Sequence, residues 1–404
     1  MTKRLLNSLQ DRQGCLSHCF LIGLWVVASV ATAASMDEAR LALIPQRMNE
    51  FVAKGQIAGA VTLVEHQGKI VQLSATGFAD VANKTAMRTD TIFEIMSMTK
   101  PFTGAAIMML VEEGRLAISD PVETILPEFR GLQLLENGKL RPPMRKITIH
   151  DLMTHTSGLP EFGPPALANI YTLMDRSLAE VTLLNSQLNL KFEPGTQWQY
   201  SNTGLAALGR IVEVVGGQPY EQFLAKRIFE PLGMKDSFFF PKPEHYARIA
   251  RVYSPMNGKL FDLGDGVFRK GAKYAMPEGG MYSTASDLVV FYRMMLNHGA
   301  HKGKQLLSKA SIETMTGLHT GSIDPAGHGP GMGYGLTWTV AKDARATTTL
   351  QAVGAYGHGG AYGTDAFLDP GKDLIGILLI QRFPLTSLAE QKMFREIAAS
   401  AVKD

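Results

Sequence analysis

Ser97 and Lys100 stand three residues apart at the head of the stretch EIMSMTKPFTGAAIMMLVEEG, residues 94–114. A serine hydroxyl becomes a useful nucleophile when a nearby base takes its proton. A lysine that is desolvated and close to the positive end of a helix has its charged form disfavoured, so it can act as that base. Ser-x-x-Lys is nonetheless short enough to occur by chance in many chains. Two other groups of residues have chemistry to offer. Tyr200-Ser201-Asn202 follows the turn Pro194-Gly195 and precedes a helix expected to begin near Thr203, so its polar side chains project from a loop. A tyrosine beside a buried lysine can pass protons, although a packed tyrosine and a helix-capping asparagine would also account for the triplet. His358-Gly359-Gly360 lies just before an expected strand, where glycines let a substrate approach the backbone closely. His150 and His155, in TIHDLMTHTSGL, read as structural groups on a helix.

The elements that must position these residues follow from the apolar pattern. Residues 105–111 are apolar without exception, which predicts a helix wrapped on all sides, with Pro101 in its first turn and Gly114 as its stop. An amphipathic helix is expected over 37–54, then strands over 60–66 and 69–74 joined by Gln67-Gly68. Residues 120–270 read as helices and loops, with helices at 149–155, 178–185, 205–215 and 220–229. Thr284 caps a helix running through Leu296. Strands are expected at 335–340, 362–368 and 374–380, and a terminal helix at 385–402. Strands near both ends with helices between them imply an α+β chain whose ends meet in one mostly antiparallel sheet flanked by the terminal helices. The sheet lobe would comprise 34–119 and 271–404, with an inserted helical lobe at 120–270.

The 404 residues exceed the usual single-domain range, in keeping with two lobes. A net charge of +3 without any Lys/Arg block gives no reason to expect a nucleic-acid partner. Lys3, Arg4 and Arg12 precede an apolar run over 20–34 that contains Ala31-Thr32-Ala33. This is the layout of a secretory signal cleaved after about Ala33. The run is shorter than the roughly 18–20 residues of a membrane span. Residues 1–33 are therefore expected to send the protein to the periplasm or outside the cell, or to anchor it in the membrane if they stay attached. Cys15 and Cys19 fall within this segment, so the mature chain would hold neither disulfide nor thiolate metal site.

Ser97-Met98-Thr99-Lys100, Tyr200-Ser201-Asn202 and His358-Gly359-Gly360, in that order, resemble the three motifs of the penicillin-recognising serine hydrolases. That family includes class C β-lactamases, D,D-peptidases, D-aminopeptidases and family VIII carboxylesterases. The likeness runs over roughly residues 40–400, and FEIMSMTKPFTG, LMTHTSGL, PGTQWQYSN and YGHGGAYGTDAFLDP resemble its esterase-like branch most. It implies a β-lactamase/transpeptidase-like fold with a five-stranded sheet. It also implies Ser97 as nucleophile, Lys100 and Tyr200 as proton-transfer groups, and Asn202 orienting the acyl side chain and holding Lys100. The N–H groups of Ser97 and Ala361 would form the oxyanion hole, with His358, Gly359 and Gly360 on the substrate side. Neither metal nor cofactor is called for. The chain departs from the β-lactamase pattern where His358-Gly359 replaces the Lys-Thr of Lys-Thr-Gly, which puts recognition of a substrate carboxylate in doubt. Phe162, Trp198, Tyr356 and Tyr362 either line a site for apolar acyl groups or pack in the core. No Gly-x-Ser-x-Gly elbow occurs. The expectation is an exported carboxylesterase acting on small-molecule esters. The alternatives are a peptidase or amidase acting on D-amino-acid peptides, peptidoglycan fragments or linearised cyclic peptides such as microcystin, a weak β-lactamase, and a non-catalytic scaffold. No oligomeric state follows from the sequence.

Overall fold

Runs of Val, Leu, Ile and Thr build two long strands, β1 (Gly59–His66) and β2 (Lys69–Asp80). Gln67 and Gly68 between them both hold positive φ, 51° and 77°, the two-residue turn whose twist suits the strands it joins. The computed structural model describes residues 35–403 apart from 168, 265–270, 324, 325, 328, 348 and 386. The expected signal segment 1–33, with both cysteines, lies outside the described residues.

β3 (Thr85–Ala86) extends β2, and the C-terminal part adds β4 (Met332–Tyr334), β5 (Thr339–Ala341), β6 (Tyr356–Gly359), β7 (Asp365–Asp369) and β8 (Leu374–Leu379). The order across the sheet is β4-β5-β6-β7-β8-β1-β2-β3, antiparallel throughout. β8 pairs with β1 from Val61–Leu379 to His66–Leu374, so the two ends of the described chain meet in the sheet as expected. The sheet has eight strands. β6, β7, β8, β1 and β2 form its body, and β3, β4 and β5 extend its edges. These edge strands are two or three residues long, too short for an alternating pattern to show. The strand expected at 335–340 is instead largely the turn between β4 and β5, where Thr337 has φ 67°. His358 and Gly359 lie within a strand, not ahead of one.

Five helices matter for the site: α1 (Leu43–Ala53), α2 (Lys100–Glu112), α3 (Asn202–Gly216), α4 (Ala285–Leu296) and α5 (Ala389–Ser400). α1 and α5 cover one face of the sheet, where Ile44, Met48, Phe394 and Ala398 pack with Val64, Phe367 and Leu378. On the other face Leu63, Ile375 and Ile377 join the core of α2 and α4. β1, β7 and β8 are thus buried on both sides, which is why β8, Leu-Ile-Gly-Ile-Leu-Leu, shows no polar alternation. α2 is buried from Lys100 to Leu110 and packs against α3. Residues 120–264 form short helices joined by loops, with two hairpins that no clear alternation announces, Leu134–Glu136 with Lys139–Arg141 and Val252–Met256 with Lys259–Gly264. Among the described residues no helix is long and apolar enough to cross a membrane.

Candidate active site

Met96–Thr99 forms a single tight 3-10 turn that leads into α2, with Pro101 in the first helical turn where its missing N–H is harmless. Met96 has φ 51°, an uncommon conformation for a residue with a side chain, and it is held there from both sides. Ile95 N–H donates to Met281 O (3.0 Å), Met281 N–H to Thr99 Oγ1 (3.2 Å), and Thr364 Oγ1 to Ile95 O (2.9 Å). A Cβ on Gly360 would stand 2.4 Å from Ile95 O, so only glycine lets the loop after β6 come this close to the serine turn. Ser97 itself is half-buried and reachable.

Lys100 is fully buried. Its Nζ donates to Ser97 Oγ (3.0 Å) and to the backbone carbonyl of Glu278 (2.5 Å), and lies 4.7 Å from the centre of the Tyr200 ring. Burial pushes the ammonium's pKa down to about 7, against the opposing pull of the Glu278 and Glu161 carboxylates. The Tyr200 and Ser97 hydroxyls are hydrogen-bonded, and burial drives the phenol's pKa upward, so Tyr200 remains protonated. Lysine, serine and tyrosine therefore meet as a base, a hydroxyl and an acid. Asn202 begins α3 beside them, with its N–H on Glu161 O (3.1 Å) and Ser201 capping the helix through Gly204 N–H (3.0 Å). The resemblance suggests Asn202 as a partner for Lys100, and the hydrogen bonds of Nζ go elsewhere. The turn at Gly279-Gly280 presents the Glu278 carbonyl to Nζ, which makes no hydrogen bond to Asn202 among the described residues.

The third motif is held by a chain of hydrogen bonds. Ser201 N–H donates to His155 Nδ1 (3.0 Å), His155 Nε2 meets the Tyr334 hydroxyl (3.1 Å), that hydroxyl meets His358 Nε2 (3.1 Å), and His358 Nδ1 meets Gly359 O (2.7 Å). Carbonyls only accept, so the network assigns one set of protons for neutral rings. His358 Nδ1 donates to Gly359, Tyr334 donates to His358 Nε2, and His155 Nε2 donates to Tyr334. Both ring nitrogens of His358 are thus engaged inside the protein, and the residue is 3% exposed. Gly359 closes β6, Gly360 forms the close approach described above, and Ala361 is half-buried beyond it. Among the described residues no backbone carbonyl accepts from the N–H of Ser97 or of Ala361, so both remain able to serve an incoming oxyanion.

Of the aromatic residues singled out, Tyr356 is core, edge-on to Trp338 at 5.1 Å, and Tyr362 packs on Phe383. Trp198 lies 6.4 Å from the Tyr200 ring, and Phe162 is 50% exposed and edge-on to Tyr171. Sequence reasoning did not single out Tyr334, Glu278 or Glu161, and it read His155 only as a satisfied structural group. An isolated acid in the uncharged stretch AMPEGGMYST was the signal that could have revealed Glu278. Among the described residues no cluster of His, Cys, Asp or Glu is arranged to hold a metal ion.

Fold and site define a serine hydrolase of the penicillin-recognising kind, and residues 44–400 match the Beta-lactamase family, to which this chain belongs. Esterase EstB of Burkholderia gladioli is 32% identical over 377 residues, covering 86% of this chain and 92% of that protein. Penicillin-binding protein 4 of Amycolatopsis lactamdurans is 30% identical over 365 residues, 87% of this chain and 88% of its own. Among solved structures, EstCE1, a hydrolase with promiscuous acyltransferase activity, superposes with a TM-score of 0.77 at 24% identity, over 90% of this chain and 99% of that one.

Proposed function

We propose that this serine hydrolase is an exported carboxylesterase that works through an acyl-serine. The observation that carries the reading is the Lys100 Nζ, held 3.0 Å from Ser97 Oγ and losing its charge near neutrality. The neutral amine takes the Ser97 proton as Oγ attacks the ester carbonyl. The N–H groups of Ser97 and Ala361 receive the developing oxyanion, a contribution worth on the order of a hundredfold or more per donor. Tyr200, which burial keeps protonated, gives its proton to the departing alkoxide and is reprotonated by the neighbouring Lys100 ammonium that the attack formed. Water then enters where the alcohol left, and the same groups run the steps in reverse to release the acid. Asn202, Gly359 and Gly360 border the acyl group.

Esters are favoured over β-lactams and C-terminal D-amino-acid peptides because both of those carry a carboxylate beside the scissile bond. A cation is the usual receiver for it. His358, at the corresponding position, spends both ring nitrogens on Tyr334 and Gly359 and has no N–H left to offer. Its place is to brace β6 through Tyr334. EstB is named an esterase, which agrees, and the penicillin-binding relative makes peptides the alternative to test. Export rests on residues 1–33, whose removal an N-terminal mass measurement on the secreted protein would reveal.

The deciding experiment compares p-nitrophenyl butyrate, nitrocefin, a D-Ala-D-Ala peptide and a linearised microcystin-like peptide, with wild type and Ser97→Ala. Ester turnover that exceeds the others and disappears in Ser97→Ala is expected. Ester turnover that survives the substitution overturns the acyl-serine, and turnover of a peptide alone moves the protein to the peptidase branch.

A further inference from the structure

Buried next to Lys100 lies a carboxyl group that the mechanism above does not use. Glu278 is 3% exposed, and its backbone carbonyl is one of the two hydrogen-bond acceptors of Lys100 Nζ. Its side chain receives a hydrogen bond from the Tyr274 hydroxyl to Oε1 at 2.6 Å, and its own backbone N–H also favours the carboxylate. No protein group among the described residues donates to Oε2, and no Lys or Arg forms an ion pair with this carboxylate. A buried carboxylate without a cation or a full set of donors is costly, and a structure that keeps one at its centre of chemistry invites an explanation. Gly279 and Gly280 follow it directly. A Cβ on Gly280 would stand 2.6 Å from Ala275 O, so the turn that aims the Glu278 carbonyl at Lys100 is tightly wound.

We infer that Glu278 is a positioning residue for the proton-accepting amine: its carbonyl fixes Lys100 Nζ against Ser97, and its carboxylate, braced by Tyr274, sets how readily that amine gives up its proton. The inference rests on the assignment of Ser97 and Lys100 made above and adds a residue that does not touch substrate. Burial alone would lower the amine's proton affinity further than is seen, and a lysine with less affinity is a weaker base. A negative charge nearby in the same low-dielectric interior opposes this and keeps the amine's affinity close to the pH at which the enzyme works. Burial also pushes the Glu278 carboxyl up to about 7, with the Tyr274 hydrogen bond and the lysine charge pulling it back, so amine and carboxyl titrate together as a pair.

The other groups facing this pair do not take over the role. Tyr171, Tyr200, Tyr220 and Tyr274 surround it, and burial raises the pKa of each, so all stay neutral. Glu161 is the remaining carboxylate that acts on Lys100, and it is the more exposed of the two and so the more screened by water.

The test reads the nucleophile directly and needs no knowledge of the natural substrate. The rate of Ser97 phosphonylation by a fluorophosphonate probe is followed against pH in wild type, Glu278→Gln and Tyr274→Phe, with the modified residue located by peptide mass. Removing the Glu278 charge lowers the proton affinity of Lys100, so the acid limb of the Glu278→Gln profile is expected to move to lower pH by about one unit. The plateau rate should fall as the base weakens. Tyr274→Phe withdraws the donor that favours the carboxylate, so its limb should move in the same direction by less. Because Tyr274→Phe keeps the Glu278 backbone and volume, it decides the matter should Glu278→Gln not fold. A folded variant that takes the probe on Ser97 with an unmoved limb overturns the role of Glu278 and leaves the acyl-serine reading intact. Wild type that is not labelled at Ser97 overturns both.

Discussion

At the scale of single residues, the site works by giving three ordinary groups unusual company. Lys100 is charged in water at neutral pH, and burial moves its midpoint to about 7. The amine must be neutral to accept a proton, and a group whose pKa is lowered is neutral above that pKa. Turnover, measured as kcat/KM, should therefore rise with pH through about 7 and level off above it. Tyr200 is displaced in the opposite sense and stays protonated, so the acid and the base are set by environment and not by residue type. Tyr200→Phe removes the acid without disturbing the packing, and should lower kcat by roughly 10²–10⁴-fold while Ser97 still accepts a fluorophosphonate. Much of this was legible in the sequence, because Ser97, Lys100, Tyr200 and Asn202 lie in short contiguous motifs. Glu278 and Tyr334 were not. Glu278 serves the site through its carbonyl on Lys100 and Tyr334 through its hydroxyl between His155 and His358, contacts between segments distant in sequence, and a single buried polar residue carries no periodic signature.

At the scale of elements, the serine turn and the loop after β6 are pressed together, and their separation is fixed by a missing side chain. In Gly360→Ala the new Cβ would lie 2.4 Å from Ile95 O and 2.1 Å from Thr364 Oγ1, and the former is backbone that cannot rotate away. The loop must move, carrying the Ala361 N–H away from the site. Activity should fall at least a hundredfold, with about 1–3 kcal/mol lost from stability in a denaturant titration. The long strands β1, β2 and β8 and the buried helix α2 were all readable, since their apolar runs are long enough to define a period. β6, which carries His358, was not read as a strand: its four residues, Tyr356–Gly359, include two glycines, and pairing with β7 is what makes them extended.

At the scale of the whole molecule, the sheet is sealed by α5. Arg382, just beyond β8, reaches Glu390 in that helix at 2.5 Å, and both side chains are almost wholly buried. Removing one partner leaves the other charge stranded, so Arg382→Ala should cost about 3–5 kcal/mol, visible as a lowered Tm. The meeting of the chain's two ends in one sheet was inferable from the placement of strands at both ends, and the pairing of β8 with β1 bears it out. The edge strands and the two added hairpins were not, because strands of two to six residues are too short for a pattern to tell them from loops.

The β1–β8 pairing also orders events during synthesis. The residues that attack and accept protons emerge early, while Gly360, Ala361 and the strand that locks the first hairpin into the sheet leave the ribosome only near the end. A chain in the course of being made thus carries a serine without a pocket, and contacts so distant in sequence form slowly. Until that late segment is made, the Ser97 turn lacks the Gly360–Thr364 loop that packs against it, so its geometry is completed last.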